Sequence, residues 1–274
     1  MPELPEVETV RAGLEKHVVG KKVNAVKQLH PRALRNDSLN KLGIFKNSKI
    51  KAVKRRGKFM WLEFDRPEVL VAHLGMSGQF KIQKAKSHRE PHLRAYFELS
   101  NGKELRFIDQ RTFGWLCVDE AIDGVPKIVS HIATDLFDPN FNKKAVVKKI
   151  AAKRGQIKKV ILDQEVLSGI GNIYADEALW YARIHPEHPA NELTSTQILN
   201  IVTAAEKVMR RALKAGGTSF DELYINVNGE SGYFERSLAV YGQEGEPCRR
   251  CGGEIIRIAF ANRSSRLCPA CQTR

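Results

Sequence analysis

The most specific pattern in the sequence lies near its end, where residues 248–271 read CRRCGGEIIRIAFANRSSRLCPAC. Two cysteine pairs, each of the form CxxC, are separated here by 16 residues. Paired thiolates at this spacing are typical of the tetrahedral shell of a structural zinc ion. The pattern predicts one Zn²⁺ bound by Cys248, Cys251, Cys268 and Cys271. Two disulfides or four buried thiols are the alternative, which the expected lack of a secretory signal disfavours.

Arginine is the dominant charged residue around these cysteines. Within and between the two pairs, only Glu254 opposes the positive side chains of Arg249, Arg250, Arg257, Arg263 and Arg266. Four thiolates leave the metal no open position for catalysis, so the zinc is expected to shape the chain. The finger is therefore expected to present positive charge to phosphate groups.

The composition of the whole chain agrees with a polyanionic partner. The 274 residues carry a formal net charge of +14, with 42% hydrophobic and 28% charged residues, which is ordinary for a folded protein. No run approaches 18 apolar residues, and the start MPELPEVETV has carboxylates where a signal peptide needs basic and then apolar residues. We expect a cytoplasmic chain of two domains with a reduced, metal-binding tail.

The first part of the chain predicts a helix followed by a β-rich domain. Residues 5–19 place Val7, Val10, Leu14 and Val18 at helical spacing. From about residue 22 to 118 the apolar runs become short and alternating, with turn residues between them. This pattern indicates an antiparallel sandwich or barrel.

The second part of the chain predicts helices. A loop-rich stretch at 119–142 separates the β-rich region from helical periods over 145–150, 157–164 and 173–182 and a long helix that ends at Gly216-Gly217. The expected fold class is therefore α+β. Its expected parts are a β-sandwich domain at 1–130, a helical domain at 131–240 and the zinc finger at 241–274.

The segment Gly169-Ile170-Gly171-Asn172 joins two of these helical patterns. Glycines let backbone N–H groups close on an anion, and the following helix offers its positive end, so a phosphate is the expected guest. A dinucleotide fingerprint is disfavoured because the segment follows a helix and not a strand. A plain helix–turn–helix connection without a ligand remains an alternative.

A run of basic residues without any acid precedes that turn. Alone, such a run is usually a solvated helical face. Its position before the glycine turn favours phosphate contact, because Lys and Arg drive nucleic-acid affinity. The run consists of Lys143, Lys144, Lys148, Lys149, Lys153, Arg154, Lys158 and Lys159.

The N-terminus contains the residues best suited to covalent chemistry. Removal of Met1, which the small Pro2 favours, would expose a secondary amine that can attack an aldehydic carbon and form a cationic imine. Glu3 and Glu6 would then be general acid/base candidates. A Pro-Glu sequence that only caps the helix is the alternative, and these residues by themselves favour it.

These motifs together resemble one family, the bacterial formamidopyrimidine-DNA glycosylases. The resemblance spans the whole chain in order. Besides the N-terminus, the glycine turn and the cysteine tail, it rests on Arg55-Arg56-Gly57-Lys58, on the HLGMSG motif at 73–78 and on the DQRTFG motif at 109–114. It implies a β-sandwich domain followed by a helix-two-turn-helix domain and the zinc finger.

The resemblance also implies an activity, that of a monomeric, bifunctional DNA-repair enzyme. Such an enzyme excises 8-oxoguanine and formamidopyrimidines from duplex DNA and then cuts the strand by β,δ-elimination. By this resemblance Pro2 would form a Schiff base at C1′, with Glu3 as general acid/base and Glu6 in support. Lys58 matches the lysine of the β-elimination step and Arg263 the arginine of the δ step.

Further positions match the DNA contacts of the family. Met76, Arg111 and Phe113 match a wedge that fills the space of a base taken out of the stack. The other expected DNA contacts are His73, His92, Arg154, Lys158, Asn172, Tyr224 and Tyr233, the last two in a lesion-capping loop at 218–234. Glu90 stands where the family often has a histidine, which puts a DNA contact there in doubt.

Two other classes of protein share part of the pattern. The related glycosylase for oxidised pyrimidines has Pro2, Glu3 and the finger, but Leu4 and the Met-Arg-Phe wedge favour the purine enzyme. A non-catalytic lesion-binding protein would have no use for the combination of Pro2, Glu3, Lys58 and Arg263.

Overall fold

The protein divides into two compact units. The structure, a computed structural model, describes residues 2–35, 42–217 and 237–274. One unit holds the described residues up to His131 together with 215–217, and the other holds Ile132–Lys214 and the residues from Ser237 onward. The finger and the helices lie in the same unit. The finer division expected at residues 130 and 240 stays a prediction.

The first unit consists of one helix and two antiparallel sheets. Helix α1 is Leu4–Val18, and short 3-10 turns lie at Pro31–Ala33, Leu42–Phe45 and Lys127–Val129. One sheet has the strand order β2-β3-β4-β8-β9 and the other the order β1-β6-β7-β5. The strands β1 to β9 are Val23–Gln28, Ile50–Arg56, Phe59–Phe64, Arg66–His73, Gly78–Lys84, Leu93–Leu99, Lys103–Asp109, Trp115–Ile122 and Val125–Pro126.

The core of this unit lies between α1 and the two sheets. The helix buries Val7, Val10 and Leu14, which are at most 2% exposed, in one cluster with side chains of both sheets such as Leu62 and Phe107. Helical spacing on α1 and alternation on the strands produce the matching apolar faces. The predicted helix and antiparallel sandwich are confirmed.

The prediction of a loop-rich stretch at 119–142 is wrong at its start. Strand β8 continues to Ile122 and pairs with β9 through Ala121↔Pro126 and Ile122↔Val125. The connection is a tight hairpin turn in which Asp123 and Gly124 have φ values of 51° and 77°. Asp-Gly is a strong hairpin signal, because both central residues of such a turn need positive φ.

The second unit is helical and ends in a small hairpin. Its helices are Lys143–Ala151 (α2), Ile157–Leu162 (α3), Asn172–Ala182 (α4) and Ser195–Lys214 (α5), with a 3-10 turn at Ala190–Glu192. Strands Ile256–Phe260 (β10) and Arg263–Leu267 (β11) form the antiparallel hairpin of the finger. No helix in the described part of the chain has both the length and the apolar character that a bilayer crossing needs.

A fully buried ion pair lies within strand β7, and its arginine also contacts the loop before β6. The guanidinium of Arg106 donates to Glu104 Oε2 at 2.7 Å, and both side chains are 0% exposed. It also contacts Glu90 Oε2 at 3.0 Å and the carbonyl oxygen of His88 at 2.7 Å. The unusual Glu90 therefore has a structural partner inside this unit.

Removing the arginine should destabilise the protein strongly. Arg106→Met leaves the buried Glu104 carboxylate without its cation, so we expect the free energy of unfolding to fall by about 3–5 kcal/mol. Glu90→His is the matched control, because Glu90 is 20% exposed and its pair should contribute about 1 kcal/mol or less. Urea unfolding measures both variants, and equal small losses would contradict this account.

Candidate active site and nucleic-acid interface

The start of α1 holds two buried carboxylates next to Pro2. Glu3 is 3% exposed and Glu6 is 2% exposed. Glu6 Oε2 accepts a hydrogen bond from the backbone N–H of Glu3 at 2.9 Å, and the two residues form a capping box. The expected capping role is therefore present. The positive end of the helix favours negative charge here, which stabilises both carboxylates where they are buried.

An ion pair connects α1 to the turn that carries Lys58. The Arg55 side chain, 6% exposed, donates from Nε to Glu8 Oε2 at 2.8 Å and from Nη1 to the carbonyl oxygen of Gly57 at 3.0 Å. Lys58 follows directly and is 7% exposed. Sequence reasoning assigned no role to Glu8 or Arg55, because a pair 47 residues apart leaves no local signal.

His73 is a neutral imidazole in an aromatic setting. Its ring lies 4.9 Å from Phe59 and 5.7 Å from Trp115, and its Nδ1 accepts from the backbone N–H of Gly75 at 3.2 Å. Burial, followed by the positive charges of Lys58 and Arg35, lowers the pKa of His73 to about 4. The Nδ1 acceptor places the proton on Nε2, so His73 can act as a neutral hydrogen-bond donor.

The predicted wedge residues lie on two loops whose backbones touch. A Cβ atom added at Gly75, where φ is +61°, would lie 2.4 Å from the backbone nitrogen of Gly114. Close to this contact, Met76 is 40% exposed and Phe113 is 57% exposed, while Arg111 is exposed as well. Exposed large apolar side chains on packed loops are suited to insertion into a stack of bases.

Asp109 fastens these two loops together. Its carboxylate is 0% exposed and accepts from the Ser77 hydroxyl at 2.5 Å and from the Gly114 N–H at 2.7 Å. Ser77 Oγ in turn accepts from the N–H of Arg111 at 3.0 Å. Asp109 and Ser77 lie within the two motifs at 109–114 and 73–78, but the motifs alone do not show that these residues position the wedge. An acid at the end of a strand could have been the signal.

In the second unit, Lys158 is bound to Asp176. Both side chains are 0% exposed, with Nζ and Oδ1 2.7 Å apart. Lys158 Nζ also donates to the carbonyl oxygen of Ser264 at 2.9 Å. Burial raises the pKa of Asp176, and the Lys158 ammonium acts in the opposite direction. The predicted phosphate contact of Lys158 thus falls on an ammonium that is already buried and paired.

The same carboxylate holds strand β11, which begins at Arg263. Asp176 accepts from the Ser265 hydroxyl at 2.7 Å and from the Arg266 N–H at 3.0 Å. Asn172 Nδ2 donates to Ser264 O at 3.1 Å, and the buried Asn172 Oδ1 has no hydrogen-bond partner among the described residues. Arg263 itself is exposed at the first position of β11. Helices α3 and α4 therefore fix the hairpin next to the predicted δ-elimination residue.

The remaining predicted DNA contacts are divided among separate places. Arg154 is exposed between α2 and α3, and His92 is partly buried just before β6. Tyr224 and Tyr233 lie outside the described residues.

Glu177, which the sequence did not single out, anchors the chain that leads to the finger. Its carboxylate accepts hydrogen bonds from the N–H groups of Ala239, Val240 and Tyr241 at 2.8–3.0 Å.

The four tail cysteines form one cluster. All four Sγ atoms lie within 4.8 Å of one another, and those of Cys251 and Cys268 are 3.4 Å apart. Zn–S bonds of about 2.3 Å in a tetrahedron require S–S distances of about 3.8 Å, so the cluster is suited to one Zn²⁺. Burial alone would raise the pKa of Cys248, but backbone N–H groups of Arg250 and Cys251 and the Trp180 indole lower it to about 6.

Family models cover most of the chain in three successive matches. The formamidopyrimidine-DNA glycosylase N-terminal domain matches residues 1–116, the formamidopyrimidine-DNA glycosylase H2TH domain matches 132–222, and a zinc finger found in FPG and IleRS matches 245–274. The chain belongs to the formamidopyrimidine-DNA glycosylase family. The predicted fold, with its helix-two-turn-helix domain and zinc finger, is thereby confirmed.

Individual formamidopyrimidine-DNA glycosylases match over the full length. The chain is 50% identical to that of Corynebacterium glutamicum (strain R), with 100% of both chains covered. A Lactococcus lactis FPG mutant in complex with a Fapy-dG containing DNA has a TM-score of 0.91 at 32% identity, with 100% of both chains covered. MutM in complex with carbocyclic 8-oxo-G containing DNA has a TM-score of 0.88 at 33% identity and equal coverage.

The neutral His73 of this glycosylase should make its stability depend on pH. Because the pKa is about 4 when folded and about 6.5 when unfolded, the unfolded chain takes up the proton first as the pH falls. The contribution of this pKa difference to the free energy of unfolding is complete above pH 6.5. It decreases as the pH falls towards 4, by at most about 3 kcal/mol. Urea unfolding at several pH values should show a shallower decrease for His73→Gln, and parallel curves would contradict the assignment.

Proposed function

We propose that this protein excises oxidised purines, namely 8-oxoguanine and formamidopyrimidines, from duplex DNA and then cleaves the strand at the abasic site. The observation that carries the proposal is the start of α1, where Pro2 precedes two carboxylates that are at most 3% exposed. A helix cap alone does not need two buried acids beside a residue that can expose a secondary amine. Membership of the glycosylase family and similarity to DNA-bound relatives support the same activity.

The first step would be displacement of the damaged base. The Pro2 amine attacks C1′ of the nucleotide, the C1′–N9 bond breaks, and the base leaves with a proton. Glu3 supplies and removes protons as the sugar ring opens to the iminium ion. Glu6 holds the backbone of Glu3 through its 2.9 Å hydrogen bond, so the two acids have separate tasks.

Strand cleavage would follow from the same imine. The iminium ion acidifies the C2′ proton, and its loss expels the 3′ phosphate in the β step. We assign Lys58 to this step, since its turn is tied to α1 through Arg55 and Glu8. Loss of the 5′ phosphate in the δ step is assigned to Arg263. Both cations also stabilise the phosphates that leave.

Access to a base inside a duplex requires that the base leave the stack. The exposed side chains of Met76 and Phe113 would fill the gap, and Arg111 would donate to the unpaired partner base. The net charge of +14 and the exposed Arg154 support binding to phosphates. The zinc ion, when bound, supplies the fold of the finger and no chemical step. The protein would act in the bacterial cytoplasm, on chromosomal DNA.

Borohydride trapping followed by mass spectrometry tests the proposal. Wild-type protein incubated with a duplex containing 8-oxoguanine opposite cytosine should give a reduced covalent adduct. Tryptic digestion should place the sugar remnant on the peptide PELPEVETVR, at Pro2. Duplexes with thymine glycol or with normal guanine are the substrate controls.

The other possible outcomes of the trapping experiment would each contradict the proposal in a different way. An adduct on a lysine would refute the role of Pro2, and an adduct formed only with thymine glycol would move the protein to the oxidised-pyrimidine enzymes. Tight binding of the lesion without any adduct would make it a non-catalytic lesion-binding protein.

The ion pair behind the finger hairpin should control the last step. Asp176→Asn weakens the pairing with Lys158 and the bonds to Ser265 and Arg266, so Arg263 should lose its fixed position. We expect the ratio of δ to β product on abasic DNA to fall by about threefold to tenfold, as a milder form of the loss in Arg263→Ala. Gel analysis of the products measures the ratio. A variant that retains zinc and an unchanged ratio would contradict this role.

A further inference from the structure

We propose that Gly217 is a positioning residue for the Glu6 carboxylate, and through it for Glu3. The inference rests on the proposed excision chemistry and adds a residue that has no functional group of its own. Gly217 is buried and follows the end of α5, where the described chain reaches its gap at 218–236.

The evidence is a close approach between the backbone of Gly217 and the side chain of Glu6. A Cβ atom built on Gly217 would lie 3.2 Å from Glu6 Cγ and 3.3 Å from Glu6 Oε1. It would also lie 3.6 Å from Glu6 Cα. The separations of 3.2 Å and 3.3 Å are tighter than ordinary van der Waals contact, so a side chain larger than hydrogen would press on the Glu6 side chain. Gly217 therefore forms one wall of the site that holds Glu6.

Glu6 has little room to yield. It is 2% exposed, and its other oxygen, Oε2, accepts from the N–H of Glu3 at 2.9 Å. A shift of the carboxylate by a few tenths of an ångström would lengthen that hydrogen bond and change the entry of the chain into α1. Since Glu3 and Pro2 immediately precede the helix, the shift would reach the groups assigned to the sugar.

The backbone of Gly217 also has a conformation that other residues avoid. Its φ is +91°, a value that glycine adopts at little cost and L-residues with side chains rarely adopt. A substitution thus has two consequences, a conformational one that any positive-φ glycine would share and a contact with Glu6 that is specific to this position. The two can be separated by a matched control.

Gly20 is that control, because its φ is +80° and a Cβ added there would meet no atom of the described residues within 4 Å, apart from its chain neighbours. Gly217→Ala and Gly20→Ala should both lower the melting temperature through the positive φ, and Gly217→Ala should lower it further because of the contact with Glu6. Only Gly217→Ala should lower the single-turnover rate of 8-oxoguanine excision, by about tenfold, with Gly20→Ala within about twofold of wild type. The affinity for a duplex with a non-cleavable abasic analogue should be unchanged in both, which separates positioning from binding.

A double-mutant cycle with Glu6→Ala tests whether the effect passes through Glu6. In the Glu6→Ala background the closely contacted atoms Cγ and Oε1 are absent, so Gly217→Ala should change the excision rate by less than about twofold. Full additivity of the two losses would overturn the proposal. An excision rate for Gly217→Ala equal to that of Gly20→Ala would overturn it as well.

A crystal structure of Gly217→Ala gives a test that does not depend on activity. The distance from Glu6 Oε2 to the Glu3 backbone nitrogen should increase from 2.9 Å by a few tenths of an ångström, which lengthens and weakens the hydrogen bond. An unchanged distance would refute the positioning role even if the wild type excises no base. If the wild type excises no base but the distance increases, the proposed function fails and the structural coupling stands.

Discussion

Buried carboxylates that accept hydrogen bonds from the backbone hold the segments on which this protein's candidate chemistry depends. Glu6 binds the N–H of Glu3, Asp109 binds that of Gly114, and Asp176 binds that of Arg266. Each of these acids is at most 2% exposed. A buried carboxylate is costly unless it is satisfied, so each one holds its backbone partners in a narrow range of positions. The chain uses these acids as fixed points for the start of α1, for the wedge loops and for strand β11 of the finger hairpin.

In the wedge and in the finger hairpin, the residues that position the segment differ from the residues proposed to contact the DNA. Phe113 and Arg263, which are proposed to touch DNA, are exposed, while Asp109 and Asp176, which position their segments, are buried within the same unit. Lys158 illustrates the difference. Its ammonium is bound to Asp176 and to Ser264 O, which favours a role in fixing the finger hairpin over a direct contact with phosphate. A positive charge in a basic run is thus no guarantee of a surface contact.

The charge state of individual buried groups cannot be inferred from the net charge of the chain. The chain has a net charge of +14, yet acids such as Asp109 and Asp176 are buried and hydrogen-bonded, and the cations Lys58 and Arg35 help to keep His73 neutral. A neutral imidazole beside an exposed wedge can donate a hydrogen bond without titrating near neutral pH. Glu90 belongs to this pattern as well, since its partner is the buried Arg106.

The sequence by itself determined the class of fold, the zinc finger and the family. Apolar periodicity, paired cysteines and short motifs are local properties, and a single chain displays them directly. Tertiary structure alone decided which charges are buried and paired, because Arg55 and Glu8, Lys158 and Asp176, and Ser77 and Asp109 meet only after the chain has folded. The approach of Gly217 to Glu6 is of the same kind, because the local sequence around either residue does not indicate that the two meet in the folded protein.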